Sequence, residues 1–150
     1  MTQITEDTFE QTHNIFRESS IIDLRKATFI DPFGMVGLLE IGELSKSEGI
    51  KKTLFLPESE EVLKYLERMD FFRFADRYFR LEPSEPAISD KYLRSSYSDV
   101  LLEITPIEKS DDIHYIVGKV KSRAHAILTR HLHYDEKAIH GFIVSLSEVC

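Results

Sequence analysis

Short apolar stretches alternate with amphipathic stretches along the first half of the chain, and this alternation constrains the fold most. The stretches "SIIDL" (20–24) and "KTLFL" (52–56) have the length and apolar character of buried strands. Helical spacing or helix-start signals mark residues 5–18, 34–48 and 59–69, and "DRYFRLE" (76–82) is typical of an edge strand. The order α-β-α-β-α-β predicts an α/β fold, a mostly parallel sheet covered by helices.

The second half predicts a strand followed by two helices. Residues 83–97 are rich in proline, serine and charge, which indicates a linker between a domain at 1–82 and a segment at 98–150. In that segment "DVLLEITPI" (99–107) resembles a strand. A long helix begins at Asp111 or Asp112, and Asp135 can cap a further one. The last helical pattern has no stop signal, so we expect the natural polypeptide to continue beyond Cys150, or this chain to be a fragment.

The charge is distributed unevenly along the chain, and its sign indicates which kind of molecule the protein can bind. Of the net charge of −7, all lies in residues 1–90, which carry 18 acidic and 11 basic side chains; residues 91–150 carry eight of each. An acidic surface repels the phosphates of nucleic acid, so a protein partner is expected and nucleic acid is not.

Targeting and redox signals favour the cytoplasm. Cys150 is the one cysteine, which excludes an internal disulfide framework. No apolar run approaches the roughly 20 residues of a membrane span, and the polar start "MTQITEDTFE" is unlike a signal peptide. We therefore expect a cytoplasmic chain that does not bind membranes.

The stretch "FIDPFGMVGLL" (29–39) contains the start of the second predicted helix. An aspartate before proline is a favoured helix start, because Asp31 can cap Phe33 or Gly34 and Pro32 has no N–H to leave unpaired. Gly34 and Gly37 remove bulk where the chain is crowded. This local explanation needs no partner. The functional alternative is that Phe33 is displayed beside the turn as an anchor for another protein.

This stretch and its neighbours resemble a STAS domain, the fold of bacterial anti-sigma-factor antagonists and transporter tails. The resemblance covers roughly residues 20–80. "IIDL" matches the apolar strand, Phe29-Ile30-Asp31 the entry to the turn, and Gly34 its glycine. Gly49 and "LFL" (54–56) match the following turn and strand. The resemblance implies a regulatory module in signal transduction, with a protein-binding surface at the turn and the start of its helix. The residues of that surface are Asp31, Pro32, Phe33, Gly34, Met35 and Gly37.

Two departures from the STAS pattern modify that expectation. Antagonists of this family carry a phosphorylatable serine after the turn aspartate, whereas this chain has Pro32 and then Phe33, which have no hydroxyl. Phosphorylation at this turn is therefore excluded, and the turn is expected to be a fixed contact surface. The strand pair that opens a STAS domain is also not evident, since the chain is predicted to begin with a helix.

The second half resembles the start of a histidine-kinase-like ATPase domain of the anti-sigma-factor serine-kinase type. Ser147-Glu148 match the front of its Ser-Glu-x-x-x-Asn box, which places Glu148 at the family's catalytic or metal-assisting glutamate. The rest of the ATP site would lie beyond Cys150. The resemblance therefore implies no enzyme activity for this chain, no cofactor, and ATP with Mg²⁺ only if the natural protein continues.

Several alternatives remain open from the sequence. The protein could be part of an ATP-dependent serine kinase with a fused STAS regulator, or a sensor of a small ligand or nucleotide. The partner of the turn could be an anti-sigma factor, a kinase or the ATPase segment in cis, and a homodimer is conceivable from the apolar faces of 112–150. His125, His131, His133 and His140 match no standard metal pattern, so no metal is expected.

Overall fold

The computed structural model describes residues 2–84, 102–130 and 133–149, with side chains up to residue 145. The chain divides into two compact units, Met1–Ser95 and Ser96–Cys150. Most of the expected linker, residues 83–97, lies outside the described residues.

The first unit combines short strands with helices, as the sequence predicts, but two strands follow each other directly and so do two helices. Its elements are β1 (Thr2–Ile4), α1 (Glu6–Glu18), β2 (Ile21–Asp23), β3 (Ala27–Ile30), α2 (Pro32–Ser47), β4 (Thr53–Phe55), α3 (Glu60–Arg68), α4 (Phe71–Tyr78) and β5 (Arg80–Glu82). Strands β1 and β3 form a two-stranded sheet, and β2, β4 and β5 form a three-stranded sheet in the order β2-β4-β5. All three strand pairings are parallel, so the predicted α/β class with a parallel sheet is confirmed.

The three-stranded sheet buries one row of side chains and leaves the other face accessible. Ile22, Leu54 and Leu81 lie side by side in register and are buried. Their neighbours along each strand, such as Ile21 and Glu82, are exposed or half-buried. Helix α2 packs against α1 and α4. Parallel sheets usually have both faces covered, so the accessible face of this sheet is unusual.

The sequence-based expectation lacks three elements, β1, β3 and α4, and makes β5 too long. The chain does not begin with a helix, because β1 precedes α1 and pairs with β3; its "TQI" is too short and polar to show a strand pattern. The expected edge strand over 76–82 is wrong in its first half, where α4 extends to Tyr78. Phe71, Phe74 and Ala75 are buried at helical spacing. The aromatic residues here therefore follow a helical period instead of the alternation of a strand.

The second unit contains a pair of helices, α5 (Ser110–Arg130) and α6 (Glu136–Val149), which pack against each other. Asp135 caps α6 as predicted, since its Oδ1 accepts a hydrogen bond from the N–H of Ala138 at 2.8 Å. The expected strand at 99–107 is not formed over residues 102–107, which belong to no strand, and residues 99–101 lie outside the described part. Over the described helices of both units, none is long and apolar enough to span a membrane.

A buried ionic cluster links α5 to the segment before it. Glu103 is 7% exposed and accepts hydrogen bonds from Nζ of Lys119 at 3.2 Å and Nη1 of Arg123 at 2.7 Å. Burial by itself raises the pKa of Glu103, but hydrogen bonds from Arg123, the backbone and Lys119 outweigh it and lower the pKa to about 2. The carboxylate therefore stays ionised at neutral pH and ties residue 103 to two successive turns of the helix.

Candidate functional site

The turn between β3 and α2 is held by the carboxylate of Asp31. Its Oδ1 accepts a hydrogen bond from the N–H of Gly34 at 2.7 Å, which is the predicted cap of α2. Its Oδ2 accepts a second one from the N–H of Glu6, the first residue of α1, at 3.0 Å. One side chain thus satisfies backbone donors at the starts of two helices, of which the sequence indicated only one.

The backbone of the turn is tied to the first strand. The N–H of Asp31 donates to the carbonyl of Ile4 at 3.0 Å, and the carbonyl of Asp31 accepts from the N–H of Met35 at 2.9 Å. Pro32 occupies the first helical position, where a missing N–H costs nothing. The turn is therefore fixed on both sides, by β1 and by the helix that it begins.

Glycine is required for steric reasons at two positions near the start of α2. A Cβ at Gly34 would overlap the carbonyl oxygen of Ile4, and one at Gly37 would overlap the ring of Phe9. Both glycines are buried, so they let α2 approach β1 and α1 closely. The structure confirms the predicted crowding and identifies the groups that cause it.

Phe33 is displayed next to this pinned turn. Its side chain is 52% exposed, and the rest of the ring packs edge-on against Phe9, with ring centroids 5.7 Å apart and planes at 85°. Phe9 is itself buried and also contacts the ring of His13 at 5.7 Å. The ring of Phe33 is therefore held in one orientation at the surface, with one edge packed against the buried ring of Phe9.

The exposed face of α2 continues from Phe33 into an acidic half. Val36, one turn on, is 53% exposed, and Glu40 and Glu43 are exposed on the same face at helical spacing. We call the four residues Phe33, Val36, Glu40 and Glu43 the α2 ridge. Lys46, three residues after Glu43, has its Nζ 5.8 Å from the ring centre of Tyr78. The ridge is thus apolar in its first turn and acidic in the next two.

The six residues expected at the partner surface fall into two groups. Pro32 and Phe33 are exposed and Asp31 is half-buried, whereas Gly34, Met35 and Gly37 are buried. Any effect of the buried three on a partner would act through the shape of the turn. Val36 was missed; its position three residues after Phe33, between two crowded glycines, is the signal that could have identified it.

Among the remaining predicted residues, those with described side chains do not converge on a site. Glu148 lies in α6, but its side chain is outside the described part, as are His131 and Cys150. His125 lies 3.5 Å from Glu136, which is an ion pair only if the imidazole is protonated. Among the described residues no group of three or more histidine, cysteine, aspartate or glutamate side chains is arranged to hold a metal ion.

Comparison with known proteins adds no relative. No family model, no curated protein and no solved structure matches this chain. The resemblance to the STAS and ATPase families therefore stays a prediction from the sequence.

Proposed function

We propose that this chain is a non-catalytic regulatory module that binds a protein partner through the α2 ridge and the turn that begins it. The observation that carries the proposal is the exposure of Phe33 on a turn that Asp31 fixes to two helices. Phe33 and Val36 are only half exposed, so the free energy cost of their contact with water is small in the free protein. In a complex the two side chains would bury a large apolar area.

Preorganisation supports this surface as a binding site. Loops that must order themselves on binding lose part of the interaction energy to entropy. Here the backbone of the turn is already bonded to β1, and the ring of Phe33 is braced by Phe9. A partner would therefore meet a surface that needs little rearrangement.

The charge of the ridge indicates the chemistry of the partner. Glu40 and Glu43 are exposed beyond the apolar turn, and the unit as a whole is acidic. A partner with an apolar pocket bordered by basic side chains would fit, and its charge would speed association. Because Pro32 and Phe33 replace hydroxyl residues at the turn, we propose that binding is not switched by phosphorylation there.

We propose a cytoplasmic protein of the anti-sigma-factor or kinase type as the partner, with a second copy of this chain as the competing candidate. The mechanism is steric docking and requires neither a metal nor a nucleotide. Mixing differently tagged copies of the chain distinguishes the two, because only self-association would let one tag recover the other.

The decisive experiment identifies the partner and then measures its affinity. A photo-crosslinking residue at position 33 is expected to capture the partner, whereas the same residue at position 50, also half-exposed in the first unit, is not. Titration calorimetry with the purified partner then compares Phe33→Ala and Val36→Ala with the control Ile50→Ala.

We expect each ridge variant to weaken binding about tenfold or more, as for a central apolar anchor. The control should bind as the unsubstituted chain does. Circular dichroism checks that each variant is folded. Equal affinity for Phe33→Ala and Ile50→Ala, with both proteins folded, would overturn the proposal.

A further inference from the structure

A second surface, which shares no residue with the α2 ridge, contains a cavity at the carboxyl ends of β4 and β5. Its volume is about 520 Å³, and its walls include Phe55, Pro57 and Leu63. Ligand sites in proteins span roughly 300–1,000 Å³, and α/β proteins bind ligands at the carboxyl edge of their parallel strands. Size and place both favour a binding site.

Arg25 lines one wall of the cavity and forms an ion pair with Asp23. Arg25 donates from Nε to Oδ1 of Asp23 at 3.0 Å and from Nη2 to Oδ2 at 2.6 Å, and its guanidinium lies 4.9 Å from the centre of the Phe55 ring. The hydrogen bonds from Arg25 lower the pKa of Asp23 to about 2. Asp23 is therefore ionised at neutral pH and neutralises the charge of Arg25.

Two further carboxylates, those of Glu58 and Glu82, border the cavity. The hydrogen bond to Asp23 is the main cause that raises the pKa of Arg25, and the charge of Glu58 also raises it. Glu58 and Glu82 are exposed, and neither forms a salt bridge with a described residue. The backbone N–H of Glu58 donates to the carbonyl of Arg25 at 3.1 Å, which holds this part of the rim in place. The three carboxylates of Asp23, Glu58 and Glu82 outnumber the guanidinium of Arg25, so the net charge around the cavity is negative.

We propose that this cavity binds an aliphatic organic cation, a primary amine or guanidinium on an apolar stem. The stem would lie along Pro57 and Leu63, and the cationic group would pair with Glu58 or Glu82. An anion would be repelled by the two exposed carboxylates of Glu58 and Glu82. A bare metal ion would lack a cluster of three ligands, since the described residues form none. The ligand is either a free amine or the lysine or arginine side chain of another protein, which share this chemistry.

The test is an NMR titration of the ¹⁵N-labelled 150-residue chain with n-butylamine and 1,4-diaminobutane. Matched probes are n-butanol, which keeps the stem without the charge, and butyrate, which reverses the charge. Saturable shifts of the amides around Leu56 and Glu58 are expected with the amines only. Equal shifts with n-butanol would overturn the proposal.

Isosteric variants test the carboxylates. Glu58→Gln and Glu82→Gln are each expected to weaken amine binding up to about fivefold, the range for an exposed ion pair, and the double variant more strongly. Glu48→Gln, an exposed glutamate that does not line the cavity, should bind as the unsubstituted chain does. If the double variant binds the amine unchanged, the binding is non-specific attraction by the acidic surface and the proposal is wrong.

Binding of a capped peptide that carries one lysine between apolar residues distinguishes the two sources of the cation, a free amine and a protein side chain. Tighter binding of the peptide than of n-butylamine indicates a protein side chain, and the reverse order indicates a free amine. Saturable binding of neither contradicts the proposal. Phe33→Ala leaves the cavity intact, so this result is independent of the fate of the α2 ridge.

Discussion

The Oδ2 of Asp31 accepts a hydrogen bond from the N–H of Glu6 at 3.0 Å, across 25 residues of sequence. Its other oxygen caps α2 at Gly34, so a single carboxylate joins the starts of two helices that also pack on each other. The stability of the first unit should therefore depend on Asp31 more than on an ordinary capping residue.

Asp31→Ala is expected to lower the free energy of unfolding by about 2 kcal/mol, because about 1 kcal/mol is typical for one lost cap and here two backbone donors lose their acceptor. Asp31→Asn keeps one acceptor oxygen and should lose less. Urea denaturation followed by circular dichroism measures both values.

Ser59→Ala is the matched control for Asp31, since the hydroxyl of Ser59 caps only α3, with an N–H to oxygen distance of 3.5 Å at Val62. Its cost should be under 1 kcal/mol. If Asp31→Ala and Ser59→Ala cost the same, the bond to Glu6 contributes nothing to stability.

Alanine substitution of glycine tests the crowding beneath the ridge. Gly34→Ala should destabilise the chain by about 1–3 kcal/mol, because the new methyl group would overlap the Ile4 carbonyl oxygen and the backbone must shift. Gly118→Ala in α5 meets no atom within 4 Å and should instead stabilise by up to about 1 kcal/mol through helix propensity. Thermal unfolding of the two variants should move in opposite directions; a rise for Gly34→Ala would refute the close approach.

The sequence predicted the α/β class and the cap of α2 because both depend on local patterns. Asp31 before Pro32 is a local signal, whereas its bond to Glu6 depends on how α1 and β3 are brought together. Strand β1 has three residues of which only Ile4 is buried, so it carries no period to detect. Gly34 and Gly37 turn their side of α2 toward Ile4 and Phe9, which leaves Val36 on the exposed side. These are tertiary contacts, which the local sequence does not specify.

Acid should weaken the second unit through Glu103. Its folded pKa of about 2 lies below its ordinary value of 4.5, so its stabilising contribution is complete above about pH 4.5 and is lost as pH falls toward 2. NMR titration of the side-chain carboxyl carbon measures the pKa directly.

Glu103→Gln removes that titration and should flatten the fall in helicity between pH 4.5 and 2. It should also lower stability at neutral pH, because Lys119 and Arg123 lose the carboxylate of Glu103. Glu108→Gln, at an exposed position in the same segment, is the control and should keep the acid dependence. Parallel acid curves for Glu103→Gln and the unsubstituted chain would argue against a lowered pKa.

Lys52 is a buried cation whose side chain binds backbone carbonyls at the C-terminal end of α1. Its Nζ donates to the carbonyl of Arg17 at 2.8 Å and also to that of Ser19. Lys52→Met is expected to lower the free energy of unfolding by about 1–3 kcal/mol, because two partly buried carbonyls at the end of α1 lose their donor. The exposed neighbour Lys51→Met should be neutral. A difference of less than 0.5 kcal/mol between the two, about the usual scatter of surface substitutions, would show that water replaces the ammonium group.

Buried and exposed positions alternate in the first turn of α2, and this affects how the sequence of such a protein can change during evolution. Gly34, Met35 and Gly37 are fixed by the packing beneath them, while Phe33 and Val36 contact the interior only in part. If the α2 ridge binds a protein as we propose, substitutions of Phe33 and Val36 would change which protein is recognised at small cost to folding. Duplicated copies of such a gene could thus acquire different partners through two codons while the turn itself is retained.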